Sequence, residues 1–588
     1  MIAVDLSWIA IPMYKPLGTL DQAHKICINP KRSKAIQVLY ARQIEASGGK
    51  WYDCQQVGQE GHAVDAVSNR SGRLPAPLAG TARDKVKAIE EIAAIAQSCR
   101  DRGQAVVQAH GTFDLLHLGH VRHLEVARRL GEVLIVTLTA DRFVNKGPGR
   151  PVFNETLRAE MLAALECVDW VAISASPDAI HTISAIRPDF YVKGQDYVNP
   201  DGDVTGKIVL EREAVESHGG QISFTDDLVF SSTELINRHF NIFEPNVRDH
   251  LDTLRRGGGL AGMLELIERV RDFRVLLVGD AIIDEYQYTP PIGKPPKENL
   301  IATRFQNREL FAGGVFAAAN HVAAFCKHVE IVTCLGGVHG YEDLIRKHLR
   351  PNIELHAVRR EAAPTTLKQR FVDPSNMRKL FEVYFIDDEP LLPDIQAQVD
   401  AVIAERAPAA DVVIVADFGH GLIAHSSIET LTKSSRFLAV SSQSNSANMG
   451  YNLITRYPRA DYVCIDATEA RLAVADRLAN LGDVARRILD GRIDCPKMIV
   501  TNGQHGCITC ECGAALHTIP AVARRVVDTV GAGDAFLSVT APLVAAGGSL
   551  DRVGFIGNVV GALKVEIVGH RRPVEKAAVI KSLTGLLR

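Results

Sequence analysis

The chain has 588 residues, room for about two to four domains, and its 46% hydrophobic and 23% charged residues exclude a mostly disordered chain. Lys and Arg number 66 and Asp and Glu 69, so the net charge of −3 offers no global basic surface for nucleic acid. No apolar run approaches the ~20 residues of a membrane helix, and eleven cysteines without framework spacing fit a reducing cytoplasm better than a disulfide scaffold.

The start, MIAVDLSWIAIPM, is apolar but lacks a basic leader and carries Asp5, which makes a poor signal peptide. Residues 1–81 show no sustained period and read as an N-terminal extension of unknown role, with a Pro-containing linker near 73–80. From Ala82 the pattern changes. A helical stretch over 88–97 precedes a buried strand at 105–109, then a helix, a strand at 133–140, a helix around RAEMLAALECV, and strands at 170–174 and 189–194. Strands alternating with helices predict a parallel α/β sheet, and this block is assigned to 82–245. Arg255-Arg-Gly-Gly-Gly259 reads as a flexible joint inside a linker at 246–261. A second α/β block, 262–588, opens on the helix MLELIERVRDF and the buried strand RVLLVGD. Further strands are VEIVTCLG, DVVIVADFG, DYVCID and KMIVTNG. The expected fold class is therefore two doubly wound parallel-sheet domains plus the extension.

The first chemical constellation is HGTFDLLHLGH at 110–120, placed between a strand and a helix. Helix N–H groups and the positive dipole end favour an anion there. His117 and His120, three apart, share the first turn, and Gly119 lets a phosphate approach the backbone. Two imidazoles at that place suit charge growing on an α-phosphate. The segment resembles the HxGH signature of the cytidylyltransferase-like nucleotidyltransferases, over about 82–240. The resemblance implies a Rossmann-like domain in which His117, His120 and Lys146 are catalytic. It also implies nucleotide contacts from Gly111, Thr112, Phe113, Gly119, Arg158, Lys193 (in YVKGQDY) and Ser231, Ser232 and Thr233. A zinc site drawing on Asp114 or His123 is the alternative use of these histidines.

The second constellation is DTVGAGDAF at 528–536, before an apolar helical stretch. Its glycines allow an anion-binding turn, and Asp534 beside it would accept a hydroxyl proton during phosphoryl transfer. It resembles the signature of the ribokinase-like (PfkB) sugar kinases, over about 262–588. The resemblance implies Asp534 as catalytic base and an anion hole from Gly531, Ala532 and Gly533. Thr501, Gly503 and Gly506 would lie near ATP. Asp284, Gly313, Gly314, Asn320 and Arg370 would bind the sugar, and Asp466 and Glu469 would organise Mg2+. TTLKQRFV and KLFEVYF resemble the lid strands of that family. Three departures touch the sugar half: VFAAAN delays an asparagine to Asn320, Asp466 replaces an asparagine, and Ser441-Ser-Gln443 stands where relatives carry D-P-K. The CITCEC run at 507–512 is one cysteine cluster on a predicted hairpin, without a second pair for zinc.

Together the halves resemble the bifunctional kinase and adenylyltransferase family of ADP-heptose synthesis, with the domain order inverted. That implies a cytoplasmic enzyme using Mg2+ and ATP at both sites, acting on sugar phosphates and nucleotides, with no nucleic-acid or membrane partner and with a homodimer formed through the kinase domain. For a heptose 7-phosphate, Lys294, Lys297, Arg304, Arg308 and Arg370 are the candidate cations. Two alternatives stay open. One is a CTP-dependent transferase fused to a kinase for another sugar. The other is a non-catalytic kinase-like module.

Overall fold

The computed structural model describes residues 81–144, 150–194, 207–225, 243–387 and 389–587. Strands β1 (Val106–Gly111), β2 (Val133–Thr139), β3 (Trp170–Ser174), β4 (Phe190–Gly194) and β5 (Gln221–Thr225) form a parallel sheet in the order β3-β2-β1-β4-β5. Alternation decides which helix each strand meets. Val107, Ala109, Leu134 and Val136 face one core with Leu124, Ala127 and Leu162, from helices Leu118–Arg128 and Glu155–Ala163. Val106, Val133 and Ile135 face the other, where helix Ile89–Asp101 buries Ile92, Ala96 and Cys99 at helical spacing. Both faces are covered, which is why VLIVTLT reads as a continuous apolar run.

The second sheet has nine strands in the order β12-β11-β6-β15-β16-β17-β18-β19-β20. They are β6 (Arg274–Gly279), β11 (His328–Val338), β12 (Ile353–Pro364), β15 (Val412–Asp417), β16 (Leu438–Ser442), β17 (Tyr462–Asp466), β18 (Lys497–Thr501), β19 (Cys507–Glu511) and β20 (His517–Ile519). The pairs from β12 to β18 are parallel, and β18-β19-β20 is an antiparallel edge, so the cysteine run lies on the expected hairpin. Val275 and Leu277 pack with helices Gly314–Ala323, Ala532–Ala545 and Leu550–Lys564. Leu276 and Val278 pack on the opposite face with Val399, Ile403 and Ile488. A smaller sheet, in the order β10-β7-β13-β14, joins β7 (Ala281–Tyr288), β10 (Asn307–Gly313), β13 (Thr366–Asp373) and β14 (Arg378–Phe385), the last two being the expected lid strands. A two-stranded ribbon, β8 (Pro291–Gly293) with β9 (Ala302–Thr303), lies between β7 and β10 in sequence.

The expected linker is corrected. Helix Pro245–Arg256 occupies it, followed by Gly257, a left-handed Gly258, and helix Gly259–Arg269. Val247, Leu251 and Leu254 recur at helical spacing and enter the same core as Val275 and Leu277. Arg255 also donates to the Leu586 carbonyl at 2.7 Å. The glycines form a tight turn between two packed helices, not a flexible joint. Among the described residues no helix is long and apolar enough to cross a membrane.

Candidate active sites

In open α/β sheets, ligands bind outside the carboxyl ends of strands where the strand order reverses. In the first sheet that point lies between β1 and β4. β1 leads directly into the HGTFD segment. His117 is the cap of the following helix, not part of its first turn: its backbone is extended and its Nδ1 accepts from the Gly119 N–H at 3.1 Å. The His117 and His120 rings stack with centroids 4.0 Å apart, and Phe113 meets His120 edge-on at 5.2 Å. The predicted histidine pair is thus brought together at the helix entrance. His110 spans Thr137 and Thr139 at the end of β2.

Two predicted nucleotide contacts have a different place. The Arg158 guanidinium is 1% exposed and reaches the carbonyls of Phe153, Thr112 and Thr139 and the Asp141 carboxylate. It ties the loop after β1 to the end of β2, so its charge is used internally. Lys193 is buried in an ion pair with Glu211 at 2.9 Å, and Glu211 also accepts from the Tyr191 hydroxyl. Asp114 is buried against Arg150 and accepts from the Val152 N–H at 2.5 Å, which fastens the segment after residue 149. Lys146, Ser231, Ser232 and Thr233 lie outside the described residues.

The second site gathers where β7 and β13 of the smaller sheet meet His570 and the turn before helix Ala532–Ala545. Asp284 on β7 is paired by Arg370 of β13, and its other oxygen meets His570 Nε2 at 3.2 Å. Burial pushes this carboxyl up, but the Arg370 charge and His570 outweigh it and hold Asp284 well below the usual carboxylate range. Arg370 also reaches Glu382 at 2.9 Å. Gly313 lies so close that a Cβ would stand 2.0 Å from Asp284 Oδ2. The expected Asp284, Gly313 and Arg370 therefore converge. Asn320 does not join them: its amide donates to the His348 carbonyl and accepts from the Arg350 N–H, bracing the turn before β12. Lys294, Lys297, Arg304 and Arg308 are exposed, and of the five proposed cations only Arg370 is buried beside Asp284.

Asp534 stands in the first turn of its helix, after a left-handed Gly531 whose Cβ would lie 2.4 Å from the His570 ring. Burial raises the Asp534 carboxyl, against His570 and a 2.5 Å hydrogen bond from Gln443. Gln443 thus occupies the place of the expected lysine with a neutral amide. Asp466 caps helix Ala467–Ala473 and forms a reciprocal box with Glu469. Burial, then Asp466, pushes Glu469 up to about 8, with Asp534 adding to the effect. Oxygen ligands beside a carboxylate suit Mg2+, so Asp466 and Glu469 fit it in donor chemistry. Among the described residues, the three-residue group with metal-binding spacing is elsewhere, at Glu330, Glu354 and His356. Thr501 ends β18, and Gly503 and Gly506 bound the turn that follows.

Three residues here went unread in the sequence. Asp528 accepts from Tyr286 and Lys379 of the smaller sheet and from the Gly569 N–H. Lys368 lies opposite Asp284 in the β13–β7 register. His570 links Gly531 to Asp284. The first belongs to the quoted motif and the second to the quoted lid strand; for His570 no local pattern signals a role.

Two family models match the chain: a cytidylyltransferase-like family over residues 109–238 and the pfkB family of carbohydrate kinases over residues 272–577. Over the first region the chain is similar to several proteins named bifunctional protein HldE. That of Syntrophotalea carbinolica is 39% identical over 164 residues, 27% of this chain and 32% of that protein. That of Methylobacillus flagellatus is 38% identical over 184 residues, 31% of this chain and 36% of that protein. The chain matches about a third of the length of these relatives. Among solved structures it is similar to the tetrameric inhibited form of phosphofructokinase-2 from Escherichia coli, with 16% identity and a TM-score of 0.44, covering 54% of this chain and 100% of that one. A ribokinase from Thermotoga maritima gives 17% and 0.42, with 53% and 99% covered.

Proposed function

The chain belongs to the pfkB family of carbohydrate kinases, and from that premise we propose a bifunctional enzyme in which an ATP-dependent sugar kinase follows a sugar-phosphate nucleotidyltransferase. The product we assign is ADP-heptose, made from heptose 7-phosphate by way of heptose 1-phosphate. The observation that carries this reading is the presence in one chain of two turns at helix entrances that are suited to phosphate. One has stacked His117 and His120 at its mouth; the other has Asp534 beside the Asp284, Arg370 and His570 cluster. The inverted domain order leaves the chemistry of each turn intact.

In the kinase, Asp284, held ionised by Arg370 and His570, accepts hydroxyl hydrogens and orients the sugar. Asp534 takes the proton of the anomeric hydroxyl as its oxygen bonds to the γ-phosphorus. The bond from that phosphorus to the bridging oxygen breaks, and ADP leaves with the electron pair. N–H groups of the Gly531–Gly533 turn receive the charge on the transferred group. Mg2+, held by Asp466 and Glu469, would neutralise phosphate charge there. A separate phosphatase then removes the 7-phosphate. In the transferase, an oxygen of the sugar 1-phosphate bonds to the α-phosphorus of ATP and pyrophosphate departs. His117, His120 and Lys146 stabilise the α-phosphate charge. Arg158 acts at a distance, by fixing the loop that carries Thr112 and Phe113.

Mass spectrometry of the protein with MgATP and D-glycero-D-manno-heptose 7-phosphate tests the reading. A heptose bisphosphate is expected from the kinase, and ADP-heptose from heptose 1-phosphate in the transferase. Product from CTP alone would reassign the nucleotide. No bisphosphate, with the transferase active, would reject this sugar.

A further inference from the structure

Among the described residues of the kinase region, Lys564 is a fully buried cation for which the proposed chemistry has no use. Lys564 ends helix Leu550–Lys564 and has 0% exposed surface. Its Nζ donates to the Val530 carbonyl at 2.6 Å and to the Gly569 carbonyl at 2.9 Å. Burying an ammonium is costly unless charges and acceptors offset it. Asp528, Asp534 and Asp284 supply favourable charge, and Lys379 opposes it.

The two carbonyls belong to the two turns that build the site. A peptide group is planar and trans, so its C=O and N–H point in opposite directions. Holding the Val530 oxygen behind the turn therefore aims the Gly531 N–H at its front, where a phosphate would lie. Holding the Gly569 oxygen fixes the peptide that leads into His570. That ring packs against Gly531 and pairs with Asp284. Asp528 supports the arrangement from the other side, by accepting the Gly569 N–H at 2.7 Å.

We propose that Lys564 is a tethered cation and a positioning residue: its ammonium clamps the phosphate-binding turn and the His570 turn together, so that the N–H groups and Asp284 face one substrate. The inference rests on the kinase reading for its consequence in turnover, and on the clamp alone for its consequence in nucleotide binding.

The test compares the full chain with Lys564→Ala and Lys564→Met. Binding of a non-hydrolysable ATP analogue is read by calorimetry, and ADP release in the presence of sugar is read alongside it. Guanidinium unfolding reports whether the kinase region of each variant is folded, and pyrophosphate release serves as the control for the separate transferase. Both variants should bind the analogue about tenfold more weakly and turn over about a hundredfold more slowly. Added ammonium or methylammonium should recover much of the loss in the alanine variant, where it can fill the vacated space. It should recover none in the methionine variant, whose neutral chain fills that space. Wild-type analogue affinity in Lys564→Met overturns the proposal, and so does a loss in Lys564→Ala that neither amine recovers. If the alanine variant does not fold, analogue binding by the methionine variant decides. A wild-type chain that binds the analogue but phosphorylates no sugar defeats the kinase reading, while the clamp is still judged by calorimetry.

Discussion

Gly531→Ala puts the geometry of the kinase turn to a quantitative test. Gly531 has φ +73°, in the left-handed region, where a residue with a Cβ costs about 1–2 kcal/mol. The new methyl would stand 2.4 Å from His570 Cε1. Ordinary contact needs about 1 Å more, so the ring must retreat. His570 Nε2 lies 3.2 Å from Asp284 Oδ2, and the same displacement breaks that contact inside a buried site. Losing it adds about 1–3 kcal/mol, for a total of roughly 2–5 kcal/mol. A misplaced turn and Asp284 should also lower kcat/KM of the kinase about a hundredfold. Gly533→Ala is the contrasting change: it is helical and a Cβ there meets nothing within 4 Å. It should stabilise by about 0.5–1 kcal/mol while raising KM for ATP, because its methyl occupies the path of the phosphate. Guanidinium unfolding and ADP release measure both effects, with pyrophosphate release as the internal control. A Gly531→Ala chain with wild-type unfolding midpoint and ADP release would refute the argument.

Three further outcomes are expected. His117→Ala should slow pyrophosphate release about a hundredfold or more and leave ADP release untouched; parallel loss of both would show that the two sites are not separate. Gln443→Lys places an ammonium against Asp534, whose carboxyl burial raises. The acidic limb of the kinase pH profile should move down by about one unit, and an unmoved limb would remove Asp534 from the base role. Asp280 accepts N–H groups of Phe418, His420 and Leu422 at the point where the strand order reverses, and burial, then Asp417, pushes its carboxyl up to about 7. Between the ordinary carboxylate range and pH 7 the unfolded chain has released a proton that the folded chain keeps, so stability falls as pH rises through that window. Asp280→Asn does not titrate. Unfolding at pH 5 and pH 8 should therefore show the wild type losing up to about 3 kcal/mol relative to the variant, and an equal difference at both values would contradict this.

How much of the molecule could be read from the chain depended on how local each signal is. VLIVTLT, RVLLVGD and DVVIVADFG announce buried strands because strands covered on both faces must be apolar throughout. HLGH and GAGD announce turns at helix entrances because their histidines, glycines and aspartate are neighbours in sequence. Composition misled at residues 246–261. The glycines there drew attention from Val247, Leu251 and Leu254, whose spacing marks a packed helix.

The sequence by itself determined the order of the two α/β regions, the place of two turns at helix entrances and the residue types that stand there. Only the tertiary structure decided which polar side chains are committed within the protein. Arg158 is spent on three backbone carbonyls and Asp141, and Asn320 on a distant turn. Gln443 reaches Asp534 from 91 residues away, His570 closes on Asp284, and Lys564 links the Val530 and Gly569 turns. The reason is physical. A turn or a strand is set by neighbours in sequence, whereas the hydrogen bonds that commit a side chain are set by whichever backbone the fold brings within about 3 Å of it.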